Sequence, residues 1–413
     1  MDHILPHDLS VSKKSSRLAG LRIAVCGGGG IAAIELPRVA RELRRHGAQV
    51  RFVVTENCLR FVGKESLEWA SATEVTVVPT GFAEHICTDD ALLVFPATAD
   101  LIGKISNGIC SDGVTTLVQS ALGLERPVVF CATMHDSLIL SPIVKANITA
   151  IENLPHVTFM KPRLAEGKQK SPSPEILALE FMHAYFRSSN FKNKNVPCIA
   201  VTYGGTRAAI DPVRCISNLS SGQMGIELIE ALYAKGLDVT GFEASIRVPS
   251  PQLEHVKLHK TPEFNDFHAV LSAVKREQFD GIFHMAAVSD YIPENPTTTK
   301  LDSSKPELNV HLKASPKMVD LPELKAIRFK AGCKLTSVDE SSGVESARKF
   351  MDRQKLDVVL WNQAEKSLQK KSQEHEGIVI YKESNVTRDK SLKGKTEIAE
   401  FLAHCFLKSL GER

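Results

Sequence analysis

No two of the nine cysteines in this 413-residue chain are spaced C-x-x-C, and the count is odd. Cys26, Cys58, Cys87, Cys110, Cys131, Cys198, Cys215, Cys333 and Cys405 are scattered, several in apolar runs such as "VVFCATM". Free thiols in a reducing compartment are therefore expected. No stretch approaches the ~20 apolar residues of a membrane span. The opening "MDHILPHDLSVSKKSS" lacks an apolar core with a basic flank and a cleavage site, so no signal peptide is expected. With 51 basic against 48 acidic residues, the formal charge of +3 is too near neutral to imply nucleic acid as a partner. No clean G-x-G-x-x-G is present: "GGGGIAA" has no plain acidic residue at the next strand end, where Thr55 and Glu56 stand, which disfavours an NAD-dependent dehydrogenase. No short-period repeat is found and no metal-ligating set stands out. A cytoplasmic protein acting on small molecules, with no nucleic-acid or membrane partner, is what these absences leave.

What is there reads as two α/β blocks. With 43% hydrophobic and 24% charged residues, the chain has enough apolar material for two cores. "LRIAVCGGGG" is a strand running into glycines, followed by the helical pattern "IAAIELPRVARELRRHG" with Gly47 as its stop. "AQVRFVVTE", "ALLVFPATAD" and "PVVFCATMHD" are further strands. A second series begins at "PCIAVTY" and continues through "DVTGFEA", "FDGIFHMAAVSDY", "RFKAGCKL", "DVVLWN" and "GIVIYKES" to the helix "TEIAEFLAHCFLKSL". Strands alternating with helices predict parallel sheets covered on both faces: an α/β chain of two Rossmann-like domains in series. The expected boundaries are a flexible N-terminus at 1–19, a first domain at 20–160, a polar linker with one short helix at 161–195, and a second domain at 196–413. The tract "EKSLQKKSQEHEG" (365–377) reads as a solvated loop.

The most informative segment is "VTYGGTRAAIDPVRCISNLSSGQMG", 201–225. About twenty residues between a strand and a helix far exceed the two to six of an ordinary connection. Gly204 and Gly205 follow the strand end, where glycine admits positive φ and close backbone approach, and where ligands bind in open parallel sheets. Ser220, Ser221 and Gly222 precede a helix N-terminus, a ready anion site. Arg214 and Asn218 add a fixed cation and a neutral donor/acceptor to the loop. The set suits phosphates and a negatively charged transition state.

In order and spacing this segment resembles the signature of phosphopantothenate–cysteine ligases. "MAAVSDY" (285–291), Lys300 ten residues past Asp290, and "ELNVHLKASPKMV" (307–319) resemble the same family; "AGCKLTS" and "DVVLWNQ" do so more loosely. The resemblance implies ligation of 4′-phosphopantothenate to cysteine through an acyl-nucleotide, using a nucleoside triphosphate with Mg²⁺. It implies Lys300 over the triphosphate, Asn218 on carboxylate and adduct oxygens, and Arg214 orienting the acidic substrate. Gly204, Gly205, Ser220, Ser221 and Gly222 would form the cradle, with Ala287 and Asp290 against the nucleotide. The lysines that follow the first in the family are absent, Asp302 and Ser303 standing instead, and the phenylalanine of a later motif is Cys333. Fusion to a flavoprotein favours CTP over ATP.

The first block resembles the flavin-dependent decarboxylase that acts on that ligase's product, through "GGIAA" (29–33), "TENCLRFV" (55–62), "EHI" (84–86) and "PATADLIGKISNGICSD" (96–112). That implies a flavodoxin-like domain with FMN contacted by Gly30, Ile31, Thr98 and Ala99, and His85 as the catalytic base. It also implies a homo-oligomer, because the family's flavin sites lie at subunit contacts. Two parts depart from the pattern. "ATMHDSL" has His135 in place of the asparagine that grips the substrate carboxylate, and the flap expected at about 160–176 has no cysteine to reprotonate the product. The expectation is a coenzyme A biosynthesis enzyme with a working ligase and an impaired decarboxylase. The alternative is a non-catalytic flavin- or nucleotide-binding regulator.

Overall fold

The computed structural model describes residues 7–161, 163–165, 168–192, 194–275, 278–304, 306–364, 374–383 and 386–411. It divides into two compact units, one formed by residues 1–194 with 234–236 and the other by 195–233 with 237–413.

In the first unit the chain order is β1 (Arg22–Gly27), α1 (Leu36–Arg45), β2 (Gln49–Val54), α2 (Lys64–Ser71), β3 (Val75–Thr76) and β4 (Ala91–Ala97). It continues through α3 (Ala99–Ser106), α4 (Gly113–Gly123), β5 (Val128–Ala132), α5 (Asp136–Ile139), α6 (Pro142–Glu152) and β6 (Val157–Met160). A small hairpin, β7 (Arg163–Ala165) with β8 (Lys168–Lys170), precedes α7 (Pro174–Asn190). The six-stranded sheet is parallel in the order β3-β2-β1-β4-β5-β6. Because β3 has only two residues, the remaining five strands give the flavodoxin-like order, with the switch point between β1 and β4. Every residue of β4 and β5 is buried, as a parallel sheet covered on both faces requires.

Two expectations about this unit change. The linker contains a 17-residue helix, α7, with Ser173 as N-cap and Pro174 in its first turn. Leu177, Phe181 and Met182 on it are buried, so it is a core helix of the first unit. Nor are residues 14–19 loose. The N–H groups of Lys14 and Leu18 donate to the carbonyls of Arg45 and His46, which α1 leaves without partners at its end. Leu18 is fully buried, Ser15 Oγ lies 2.7 Å from His46 Nδ1, and Lys14 pairs with the buried Glu42 at 2.6 Å.

The second unit runs β9 (Cys198–Tyr203), β10 (Arg207–Ala209), β11 (Cys215–Ser217), α8 (Gln223–Tyr233), β12 (Asp238–Glu243), β13 (Val256–Lys260), α9 (Phe264–Ser272) and β14 (Gly281–His284). Then come β15 (Tyr291–Pro293), β16 (Leu312–Ala314), α10 (Pro322–Lys325), β17 (Phe329–Thr336), α11 (Glu340–Gln354), β18 (Val358–Gln363), β19 (Glu376–Glu383), β20 (Val386–Lys393) and α12 (Lys395–Gly411). The main sheet has the order β13-β12-β9-β14-β17-β18-β19-β20. Its first six strands are parallel, with the switch point between β9 and β14, while β19 and β20 are antiparallel. The sheet is therefore mixed. β20 was not legible in the sequence because seven of its eight residues are exposed. The loop expected at 365–377 lies outside the described residues for 365–373.

No helix among the described residues is long and apolar enough to cross a membrane. All nine cysteines are free, with Cys26, Cys58, Cys87 and Cys131 buried.

Gly225, in the first turn of α8, is a packing residue: a Cβ there would lie 2.1 Å from Tyr203 Cβ, on a side chain that is fully buried and donates to Glu243 Oε2 at 2.7 Å. Alanine in place of a helical glycine ordinarily gains up to about 1 kcal/mol. At Gly225 the overlap reverses the sign, and Gly225→Ala is expected to lose roughly 1–3 kcal/mol, read as a lowered midpoint of thermal unfolding.

Candidate functional site

At the carboxyl edge of the second unit's sheet, three loops are hydrogen-bonded to one another. Gly204 stands at φ +85°, and a Cβ there would lie 2.7 Å from Ser245 O. Without one, Gly205 N–H donates to Ser245 O (2.9 Å), Ser245 N–H to Gly205 O (3.0 Å), and Ala287 N–H to Gly204 O (2.8 Å). Thr206 N–H then donates to Ala287 O at 3.3 Å. The loops after β9, β12 and β14 thus form one floor.

Asn218 stands on that floor. Its Nδ2 donates to Ala287 O and Val288 O, both at 3.2 Å. Both amide hydrogens are used, so the outward-facing atom is Oδ1, an acceptor. This differs from the expected role, which needs a donor toward carboxylate oxygens. Ala287's own N–H and C=O are likewise engaged in the floor. Ser220 Oγ and Ser221 Oγ accept from Gly222 N–H and Gln223 N–H, each at 3.3 Å. The two serines occupy the donors that an incoming anion would take. Gly222, at φ +81°, passes so near Ile246 that a Cβ would lie 2.4 Å from its Cγ2.

The rest of the site hangs on Asp211, a buried residue that composition and motif reading passed over although it stands in "IDPVR". Its carboxylate accepts from the N–H groups of Val213 (2.8 Å), Arg214 (2.7 Å) and Leu301 (3.1 Å), and from Arg214 Nη1 at 2.6 Å. Burial alone would raise its pKa, but the three N–H groups and the guanidinium outweigh that and hold it down at about 2. One carboxylate therefore fixes Arg214 and ties the 211–214 turn to the residue after Lys300. Lys300 itself is exposed, with no carboxylate partner among the described residues. Asp290 is exposed and forms an ion pair with Lys317. Beneath them runs a buried hydroxyl chain: Ser289 N–H donates to Thr206 Oγ1 (2.9 Å), and Ser315 Oγ donates to Ser289 O (2.5 Å).

In the first unit a cleft of about 780 Å³ opens at the carboxyl ends of β1, β2, β4 and β5. Gly30, Thr98 and Ala99 line it, as do Thr55, Asn57, Thr133 and Lys104. Thr98 caps α3, and Asp112 with Thr115 forms a capping box on α4. A Cβ on Gly28 would lie 2.6 Å from Pro96 O, and one on Gly29 would lie 2.6 Å from Asn57 Cβ, so the loop can only be made with glycine. Thr133 Oγ1 is buried on this wall without a hydrogen-bond partner among the described residues. A cleft of mixed polar and apolar lining with an unsatisfied hydroxyl is suited to a ligand of mononucleotide size.

Three expected residues stand off the cleft wall. Ile31 is 72% exposed, and His85 lies exposed on the loop before β4. His135 caps α5, its Nδ1 accepting from Ser137 N–H at 3.2 Å, so a neutral ring carries its proton on Nε2. Of the expected flap, residues 162, 166 and 167 lie outside the described residues. A separate cavity of about 360 Å³ lies between α9 and the β15–β16 hairpin, and no expected site residue lines it. Among the described residues no group of three or more His, Cys, Asp or Glu side chains is placed to hold a metal.

Two family models match the chain: "DNA/pantothenate metabolism flavoprotein C-terminal domain" over residues 195–409, and "Flavoprotein" over residues 11–179. The coenzyme A biosynthesis bifunctional protein CoaBC of Thermococcus kodakarensis is 35% identical over 363 residues, covering 86% of this chain and 88% of that protein. That of Methanocaldococcus jannaschii is 32% identical over 371 residues, covering 87% and 88%. Among solved structures, the DNA/pantothenate metabolism flavoprotein of Streptococcus pneumoniae is 24% identical with a TM-score of 0.45, covering 52% of this chain and 99% of that one.

The low pKa of Asp211 has a pH signature. Its folded value lies below the ordinary 3.8, so the stability it contributes is present above pH 4 and is lost as pH falls toward 2. The difference in unfolding free energy between the wild type and Asp211→Asn is expected to shrink steadily from pH 4 to pH 2, followed by urea denaturation. A constant difference over that range would contradict the assignment.

Proposed function

The chain belongs to the family of coenzyme A biosynthesis bifunctional proteins, and from that membership we propose how its two units divide the work. The second unit joins 4′-phosphopantothenate to cysteine, drawing on CTP with Mg²⁺. The first unit holds FMN. The observation that carries the ligase reading is that the one loop leaving β9 at the β9/β14 switch point carries both Asn218, fixed by two carbonyls of the glycine floor, and Arg214, fixed by a buried carboxylate.

In the first half-reaction the pantothenate carboxylate attacks the α-phosphorus and pyrophosphate leaves. Lys300, with no carboxylate of its own among the described residues, lies over the triphosphate and offsets charge at the α-phosphorus. Ser220 and Ser221 exchange their loop N–H groups for phosphate oxygens, with Gly204, Gly205 and Gly222 giving backbone access. Ala287 and Asp290 flank the nucleotide. Arg214, held on one side by Asp211, turns its remaining N–H groups to the acidic substrate. In the second half-reaction the cysteine amine attacks the acyl carbon and CMP leaves. An outward Oδ1 suits Asn218 to accept from that amine and so orient the nucleophile.

The residues of the first unit's cleft fit FMN: Gly30, Thr98 and Ala99 as contacts, and Thr133 Oγ1 as a waiting polar partner. Bound FMN supplies the two-electron oxidation on which the family's decarboxylation depends. Residues 161–176 contain no cysteine, so the family's proton donor is missing, and we infer impaired decarboxylation. His85, the family's base, and His135, with a proton on Nε2, face solvent, and Ile31 is exposed beside the cleft. A homo-oligomer whose second copy closes over this edge accounts for all three. The free thiols suit a cytoplasmic setting. The alternative of a non-catalytic regulator is not favoured, since the curated relatives are named for coenzyme A biosynthesis.

Mass spectrometry of the full chain with 4′-phosphopantothenate, cysteine, Mg²⁺ and either CTP or ATP tests the ligase directly. Phosphopantothenoyl-cysteine is expected to accumulate, faster with CTP, and Lys300→Ala to slow it roughly 100-fold or more. No product with either nucleotide would sink the ligase reading, and a product lighter by CO₂ would show that decarboxylation survives. In the first unit, Thr133→Val removes a hydroxyl that has no partner among the described residues. It is expected to leave thermal stability unchanged or raised and to weaken FMN binding roughly tenfold, in keeping with one lost hydrogen bond, as read by quenching of flavin fluorescence.

A further inference from the structure

We propose that Glu227 is a positioning residue of the ligase site, acting through Gln223 to hold the mouth of α8 against the start of α12. The inference rests on the ligase reading of the second unit, in which phosphate oxygens take the N–H groups ahead of α8. Ser220 Oγ and Ser221 Oγ hold those of Gly222 and Gln223 at 3.3 Å each. When phosphates arrive these two bonds are given up, and the first turn of α8 loses its side-chain hold. A cradle that loosens as it fills binds weakly, so a tie that survives the exchange is needed.

Glu227 supplies that tie from one turn below. Its Oε1 accepts from Gln223 Nε2 at 3.0 Å, and its Oε2 accepts from Thr396 Oγ1 at 2.9 Å. Neither bond uses a backbone N–H, so neither competes with an anion. Gln223 and Glu227 stand at the i,i+4 spacing of one helix face, whereas Thr396 lies 169 residues away, in the first turn of α12. That helix is a fixed post. Gly394 turns into it at φ +88°, its N–H donating to His375 O at 2.6 Å, and Ile398, Leu402 and Phe406 are fully buried. Burial lowers the pKa of the partly buried Lys395 ammonium, next to Thr396 in the chain, and the Glu227 carboxylate is the charge that counters this. The same ammonium offsets the charge of Glu227, so a carboxylate can stand one turn from a phosphate site with reduced repulsion.

The test is steady-state ligation by the full chain, followed by mass spectrometry, with CTP, Mg²⁺, 4′-phosphopantothenate and cysteine. Glu227→Ala is expected to raise the KM for CTP roughly 3- to 10-fold, in keeping with one lost hydrogen bond. It should leave kcat and the KM for cysteine within about twofold. Gln223→Ala should raise the KM for CTP equally, and the double variant no further, since the two side chains act as one unit. Glu227→Gln keeps an acceptor for Gln223 and a donor for Thr396 Oγ1, and should restore the KM. If Glu227→Ala does not fold, Thr396→Val, which keeps the side-chain shape, reads the same tie and should raise the KM in the same sense. Additive losses in the double variant, or equal rises in the KM for CTP and for cysteine, would make Glu227 a support of α8 alone and overturn the proposal. So would an unchanged KM for CTP in Glu227→Ala or Thr396→Val while the wild type ligates normally. A wild type that forms no product with CTP or ATP would instead remove the ligase reading, and this role of Glu227 with it.

Discussion

The candidate ligase site depends on a missing side chain. At Gly204 the chain turns through a positive φ with Ser245 O where a Cβ would be. That allows the loops leaving β9, β12 and β14 to bond to one another through their backbones rather than through water. The parallel ladder is in effect continued past the strand ends, so its last N–H and C=O groups are satisfied and the surface above them is rigid. Asn218 has two carbonyls to hold only because that floor exists.

The second organising element is electrostatic, and it too is satisfied before any ligand arrives. Asp211 collects three backbone N–H groups and a guanidinium, which more than offsets the cost of burying a carboxylate. Glu42 does the same in the first unit: burial raises its pKa, while His46, Lys14 and Arg45 hold it down at about 2 and fasten the N-terminal segment to α1. In both places one buried acid joins segments distant in sequence. The exposed pairs, such as Lys317 with Asp290, have no such burial and contribute little to stability.

The two clefts differ in how complete they are. The second unit's floor has its backbone groups paired, with Asn218 anchored to it, and Lys300 is exposed. The first unit's cleft has Thr133 Oγ1 buried without a partner among the described residues and exposed apolar side chains nearby, Ile31 at 72% and Leu138 at 48%. An unpartnered buried hydroxyl and an uncovered apolar edge both raise the energy of the free chain.

Alternating apolar runs and helical periodicity were enough to read the two α/β blocks, since buried parallel strands must be continuous apolar stretches. The 201–225 segment marked the carboxyl edge of β9, because only glycine tolerates that turn. The outward edges stayed hidden: β10, β11, β15, β16 and β20 are short or exposed, with no hydrophobic pattern to reveal them. Local sequence also made α7 resemble a linker helix, since burial of its apolar face depends on a partner surface far away in the chain. The residue types of the candidate site can thus be named from the sequence. Which atom of Asn218 faces outward, which acid fixes Arg214, and which lysine reaches Asp290 were decided by contacts across dozens of residues, and only tertiary structure brings such groups within hydrogen-bond distance.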